Sequence, residues 1–179
     1  LKKGILLSIL ICTMGMSQSQ KYDFLDQVGL IKGILPNVER IGVLIGPTDY
    51  DTLLESMGAA QTQYGITVIP IKLNNVKQKL PQYVKTAAVG VVKNHGIQVI
   101  MFVEGTDSVT KSPVGIKFTA SALKKQKVPV FSPSDKALKV GCLGQFIMEG
   151  EQWKMKVSNE IAGEIGVTVP SGDPNFLPE

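Results

Sequence analysis

From residue 24 onward, two apolar rhythms alternate along the chain. Phe24, Leu25, Val28, Ile31 and Leu35 recur every three or four residues and predict a helix stopped by Pro36. The run 40–46 (RIGVLIG) is short, β-branched and closed by Gly-Pro, which predicts a buried strand. Leu53, Leu54, Met57 and Ala60 predict the next helix, capped by Thr48 or Asp49 and ended by Gly65. Residues 66–73 predict a second strand, and Pro70 puts it at a sheet edge. A helix follows from Pro81 to Asn94, then a strand over 97–103 and a helix marked by Val114, Phe118, Ala122 and Leu123. Val128 to Phe131 predicts the fourth strand. This alternation predicts an α/β fold with a three-layer parallel sheet covered by helices on both faces.

After a short helix or turn over Lys136 to Val140, the pattern changes. Cys142 to Met148 and Gln152 to Val157 flank Glu149-Gly150-Glu151 and predict an antiparallel hairpin at the sheet edge. Ser158 caps a last helix through Ile161 and Ile165, closed by Gly166. Residues 171–179 read as an extended surface tail.

The first nineteen residues follow a different rule. Lys2 and Lys3 precede a mostly apolar stretch from Gly4 to Met16, and Ser17-x-Ser19 supplies small residues for cleavage after Ser19. This is a secretory signal pattern. About thirteen residues make roughly 20 Å of helix, short of the ~30 Å bilayer core. Cys12 follows Ile11 inside the apolar run instead of closing it, which argues against lipidation. The expected division is a signal peptide over 1–19, one domain over 20–170 and the tail, with the mature protein periplasmic or otherwise exported.

Composition narrows the chemistry. The 179 residues carry 19 Lys+Arg and 15 Asp+Glu, a formal +4 that falls to +2 once Lys2 and Lys3 leave with the leader. Arg40 is the only arginine, so a nucleic-acid partner is not expected. One histidine and two cysteines cannot form a four-ligand zinc site. His95 falls in a turn between helix and strand, Trp153 reads as packing in the hairpin, and Cys142 as a buried, inert thiol. No nucleophile–base pair is apparent, and the expectation is a non-enzymatic protein with no cofactor and no metal.

Ligands of open parallel sheets bind beyond the carboxyl ends of the strands. That rule selects 46–51 (GPTDYD), 104–108 (EGTDS) and 132–135 (SPSD), and with them Thr48, Asp49, Tyr50, Thr106, Asp107, Ser132 and Ser134. Ser, Thr and Asp at such junctions can equally be helix caps. Tyr50 can stack on a ligand. The two carboxylates of the first loop would repel a phosphate, which disfavours a nucleotide or flavin cradle. Asp49, Asp107 and Lys136 loosely imitate a phosphoacceptor receiver, but an exported chain is removed from cytoplasmic phosphodonors.

Several segments resemble one family. Residues 30–48 (LIKGILPNVERIGVLIGPT), 103–109 (VEGTDSV), 128–132 (VPVFS), 140–144 (VGCLG) and 156–170 (KVSNEIAGEIGVTVP) resemble, in order, motifs of the second lobe of ABC-transporter substrate-binding proteins of the tryptophan/tyrosine type. The resemblance spans roughly residues 24–170. It implies a flavodoxin-like lobe of the periplasmic-binding-protein kind, ligand-facing loops at the residues just named, a small polar solute (an amino acid among the candidates) and a membrane transporter as partner. The family uses two lobes, whereas here the leader runs directly into the second, so enclosing a ligand would take a homodimer or another protein. Residues 146–158 also resemble the end of YfiR-type periplasmic sensors, which implies an alternative role as an interaction module acting on a membrane protein without a small ligand.

Overall fold

The computed structural model describes residues 19–46, 50–73, 80–103 and 112–179. The expected signal segment therefore lies, apart from Ser19, outside the described residues. Helix α1 spans Ser19–Ile34, strand β1 Arg40–Ile45, α2 Tyr50–Tyr64, β2 Thr67–Lys72, α3 Leu80–His95, β3 Val99–Phe102, α4 Pro113–Lys124 and β4 Val130–Ser132. A 3-10 turn over Leu138–Val140 leads to β5 Gly144–Glu149, β6 Gln152–Val157, α5 Asn159–Ile165 and β7 Phe176–Pro178. The described strands form one sheet in the order β2-β1-β3-β4-β5-β6-β7. β1 through β5 are mutually parallel, β5 and β6 form the expected antiparallel hairpin, and β7 runs parallel to β6.

The central strands are apolar on both faces because both faces are covered. Ile41, Val43, Ile45, Val99, Met101 and Phe131 face one core with α1, α2 and α5. Leu44, Ile100, Phe102 and Val130 face the other core with α3 and α4. Alternate residues of a strand point to opposite faces, and this alternation fixes the register. β2 lies at the edge, where Pro70, opposite Val43, can lack its N–H without breaking an inner ladder.

Local signals end the elements as expected. The Ser158 hydroxyl accepts from the Ile161 N–H at 3.3 Å, and Gly166 closes α5 in the left-handed region at φ 79°. Ser112 does the same for α4 through the Gly115 N–H, with Pro113 in the first turn. The single arginine serves the fold: Arg40 Nη1 donates to the His95 carbonyl at 3.1 Å, at the end of α3. Segment 171–179 is more than a surface tail. Its last residues pair with Met155, Lys156 and Val157, and the buried Phe176 ring occupies the space that a side chain at Gly33 would fill.

Candidate functional site

The strand order sets the place where a ligand can enter. From β1 the chain passes through α2 to β2 on one side, then returns through α3 to β3 on the other. β1 and β3 are therefore the topological switch point of the sheet, beyond whose carboxyl ends open α/β folds take their ligands. The segment after β1 carries Thr48 and Asp49, and that after β3 carries Thr106 and Asp107. All four lie outside the described residues, so their proposed contacts, and the capping of α2 by Thr48 or Asp49, are read from the sequence.

Tyr50 opens α2 and is half-buried against the first core. The Lys72 ammonium, at the end of β2, sits 4.7 Å from the centroid of its ring. Parallel pairing of β1 with β2 makes this contact, bringing together residues 22 positions apart in sequence. A cation over a tyrosine face at an exposed position contributes about 0.5–1 kcal/mol. It also stations an amine at the carboxyl end of β2.

Ser132 ends β4 and is fully buried, its hydroxyl accepting from the Ser134 N–H at 3.2 Å. The Ser134 hydroxyl in turn accepts from the Lys136 N–H at 3.3 Å. Both serines shape the turn after β4; neither caps the 3-10 turn that follows, whose N-cap is Ala137. Ser134 is half-exposed.

The hairpin adds a feature that the loop rule does not foresee. β5 pairs with β4 only at Gly144 and Gln145, so Phe146 to Glu149 continue four residues beyond Ser132. At about 3.3 Å per residue this is a wall roughly 13 Å high on one side of the rim. Lys154 pairs with Glu149 near its tip, and Met148 is exposed. The turn is tight, with Gly150 at φ 63°, as a two-residue loop opening on glycine requires.

The remaining candidate groups are packed in the cores or, for His95, exposed at a helix end. Cys142 is buried, and burial pushes its thiol up to about 12, far from a reactive thiolate. His95 ends α3 at the opposite rim, and Trp153 packs on the first core. Burial, with Asp26 nearby, raises the Tyr64 phenol, which belongs to the α1–α2 contact. Among the described residues no three His, Cys, Asp or Glu side chains converge on a metal position, and no helix is long and apolar enough to cross a membrane.

No family model matches the sequence, and no curated relative matches it. Solved structures do match the fold. A conserved domain protein from Vibrio cholerae superposes with a TM-score of 0.63 at 20% identity, over 82% of this chain and 56% of that one. An ABC domain in complex with L-Trp from Streptococcus pneumonia gives 0.61 at 18% identity, over 82% and 58%. CD0873, a substrate-binding protein with adhesive properties from Clostridium difficile, gives 0.63 at 14%, over 85% and 58%. The chain thus spans a little over half the length of these structures, and over that length it shares their α/β fold.

Proposed function

We propose that this is an exported, non-enzymatic solute-binding protein that takes a small polar ligand at the carboxyl-end rim of its sheet, for uptake or sensing. The observation that carries the reading is the strand order, which puts the switch point between β1 and β3, with Tyr50 and Lys72 in contact at the carboxyl end of β2 and the start of α2; the sequence adds the Thr-Asp pairs that follow β1 and β3. The amine suits a carboxylate, and the carboxylates of Asp49 and Asp107 suit an ammonium, so an amino-acid-like zwitterion fits the charge pattern. The structural neighbours support a binding role, since two of them are described as a substrate-binding protein and as an L-Trp complex. In this reading Thr48, Asp49, Tyr50, Thr106, Asp107 and Ser134 contact the solute, while the buried Ser132 acts by holding the turn.

A thermal-shift panel of amino acids and other small polar solutes tests it. A true ligand at a hundred times its Kd adds about 2.7 kcal/mol, which for a chain of this size raises Tm by about 5–10 °C. Asp107→Asn should reduce that shift while leaving the ligand-free Tm within a degree or two, and Tyr50→Ala should reduce it at a cost of several degrees from lost packing and the Lys72 contact. Absence of any solute-dependent shift across the panel overturns the reading.

A second reading has its own support. Leu54, Val114, Phe118 and Met148 are large apolar side chains between 43% and 50% exposed, and the projecting hairpin offers an edge to a protein partner. A periplasmic module that regulates a membrane protein by contact would use such a surface without any solute. Capture of one membrane protein, abolished by Met148→Glu and unaffected by solutes, would select this reading.

A further inference from the structure

A second recess lies at the opposite end of the sheet. It measures about 540 Å³, within the roughly 300–1,000 Å³ range of small-molecule sites. Its lining comes from the turn after α1, the entries to β3 and β4, and the segment after α5. Ile34, Val38, Val99, Val167 and three prolines (Pro36, Pro129 and Pro170) make it mainly apolar. The floor is rigid. Gln98 Oε1 accepts from the Glu39 and Arg40 N–H groups at 2.7 and 3.0 Å, stitching the start of β1 to the start of β3.

Lys127 is the only ionisable residue in that lining. A second amine is close by, since Lys32 Nζ donates to the carbonyl of the lining residue Val38 at 2.9 Å. Lys127 is also conformationally anomalous. It occupies the left-handed position after α4 at φ 56°, with its N–H on the Lys124 carbonyl and the Val128 N–H on the Leu123 carbonyl. This is the Schellman ending, whose left-handed residue is usually glycine because a Cβ is disfavoured there. The chain does use glycine at the corresponding positions after α2, α3 and α5, at Gly65, Gly96 and Gly166. A lysine held where glycine is favoured has stability to gain by substitution, so its side chain needs another reason.

We propose that this recess binds a small amphipathic anion, its aliphatic or aromatic body against the prolines and valines and its carboxylate on Lys127. The site lies at the far end of the strands from the β1–β3 switch point and does not depend on the solute-binding reading.

Decanoate, used below its micelle concentration, is the probe, with decanol as the uncharged control. Amide resonances of Gln98, Val99, Lys127, Val167 and Thr168 should shift on titration with decanoate, and about tenfold more weakly with decanol. Lys127→Gly should raise Tm by about 2–4 °C, because glycine relieves the left-handed strain, and should weaken decanoate about fivefold. A merely structural lysine would show the first effect without the second. Thr168→Trp, at an exposed lining position, should block the probe without unfolding the protein. Shifts confined to the β1–β3 end, no shifts at all, or unchanged affinity in Lys127→Gly would each overturn the proposal.

Discussion

Gly144 provides the sharpest test of the packing that supports the candidate rim. It opens β5, pairs with Phe131 of β4 and is fully enclosed. A methyl group there would sit 2.5 Å from Phe131 Cδ1 and 2.7 Å from Met155 Sδ. The methionine end can swing aside, but the ring edge cannot, because Phe131 is fully buried and stacked on Phe146 at 6.1 Å. Gly144→Ala therefore pushes β5 away from β4 or forces Phe131 off its rotamer. Overpacking of this kind costs about 1–3 kcal/mol, and the two-sided clash puts this site at the upper end. For a domain of this size each kcal/mol is worth about 2–4 °C, so Tm should fall by about 6–12 °C. Urea unfolding followed by circular dichroism should show a lower midpoint with an unchanged slope. Gly58→Ala is the internal control. Gly58 is exposed in α2 with nothing within 4 Å of the added methyl, so alanine should gain about 0.5–1 kcal/mol from helix propensity. Phe131→Leu should partly rescue Gly144→Ala. A Gly144→Ala protein within a degree of the parent would refute the reasoning, since the strand spacing would then tolerate what the geometry forbids.

The same logic gives further outcomes. Cys142 should resist thiol reagents in the folded protein, which peptide mapping at residue 142 can read. Its thiol is raised from 9.0 to about 12, so its stabilising effect is complete below pH 9 and is lost as pH rises from there toward 12. The unfolded thiol ionises first in that window, and Cys142→Ala should lose less stability than the parent between pH 9 and 11. Phe176→Ala should cost about 3–5 kcal/mol by opening a cavity against α1, and removing residues 171–179 should cost at least as much in urea unfolding. Thr119→Val should raise Tm by about 2–4 °C, because the Thr119 hydroxyl is buried without a hydrogen-bond partner. Ser158→Ala should lower stability by about 1 kcal/mol through loss of the cap on α5.

What could be read in advance was whatever the chain encodes locally. The β-branched runs of β1 and β3, the edge proline of β2, the Gly150 turn and the Ser158 cap each state their role within a few residues. β7 states nothing comparable. Phe176-Leu177-Pro178 is three residues in a Pro- and Gly-rich stretch, and it becomes a strand only because β6 exposes an edge and α1 leaves room at Gly33. α1 begins at Ser19, ahead of Phe24 where its apolar rhythm starts, since the preceding residues fit the leader pattern equally well. At the site, Tyr50 was singled out but Lys72 was not, because only parallel register brings them together. Ser132 and Ser134 were legible as either caps or ligands, and their hydroxyls accept N–H groups within the turn after β4. The left-handed angle of Lys127 was not legible at all, because a backbone angle leaves no trace in residue type.

The proposed site at the β1–β3 end has a consequence for affinity. Small-molecule sites bury about 70–90% of their ligand, and under the proposed reading a solute covered from the β1–β3 end alone would keep its outward half in water. Contacts made by the rim then act in a high dielectric, where a charge pair at 4 Å is worth about 1 kcal/mol instead of the several available once water is excluded. Unaided binding should therefore be weak, and tight binding needs a cover. If a second copy supplies it, the apparent affinity for solute must rise with protein concentration, and solute must in turn promote association, because the coupling is reciprocal. The exposed Met148 and Phe118 side chains give that cover apolar surface to rest on. Sedimentation and calorimetry across a hundredfold range of chain concentration separate the cases. An affinity that is tight and independent of concentration would mean that the rim closes on its ligand by itself, and the open-rim argument would be wrong.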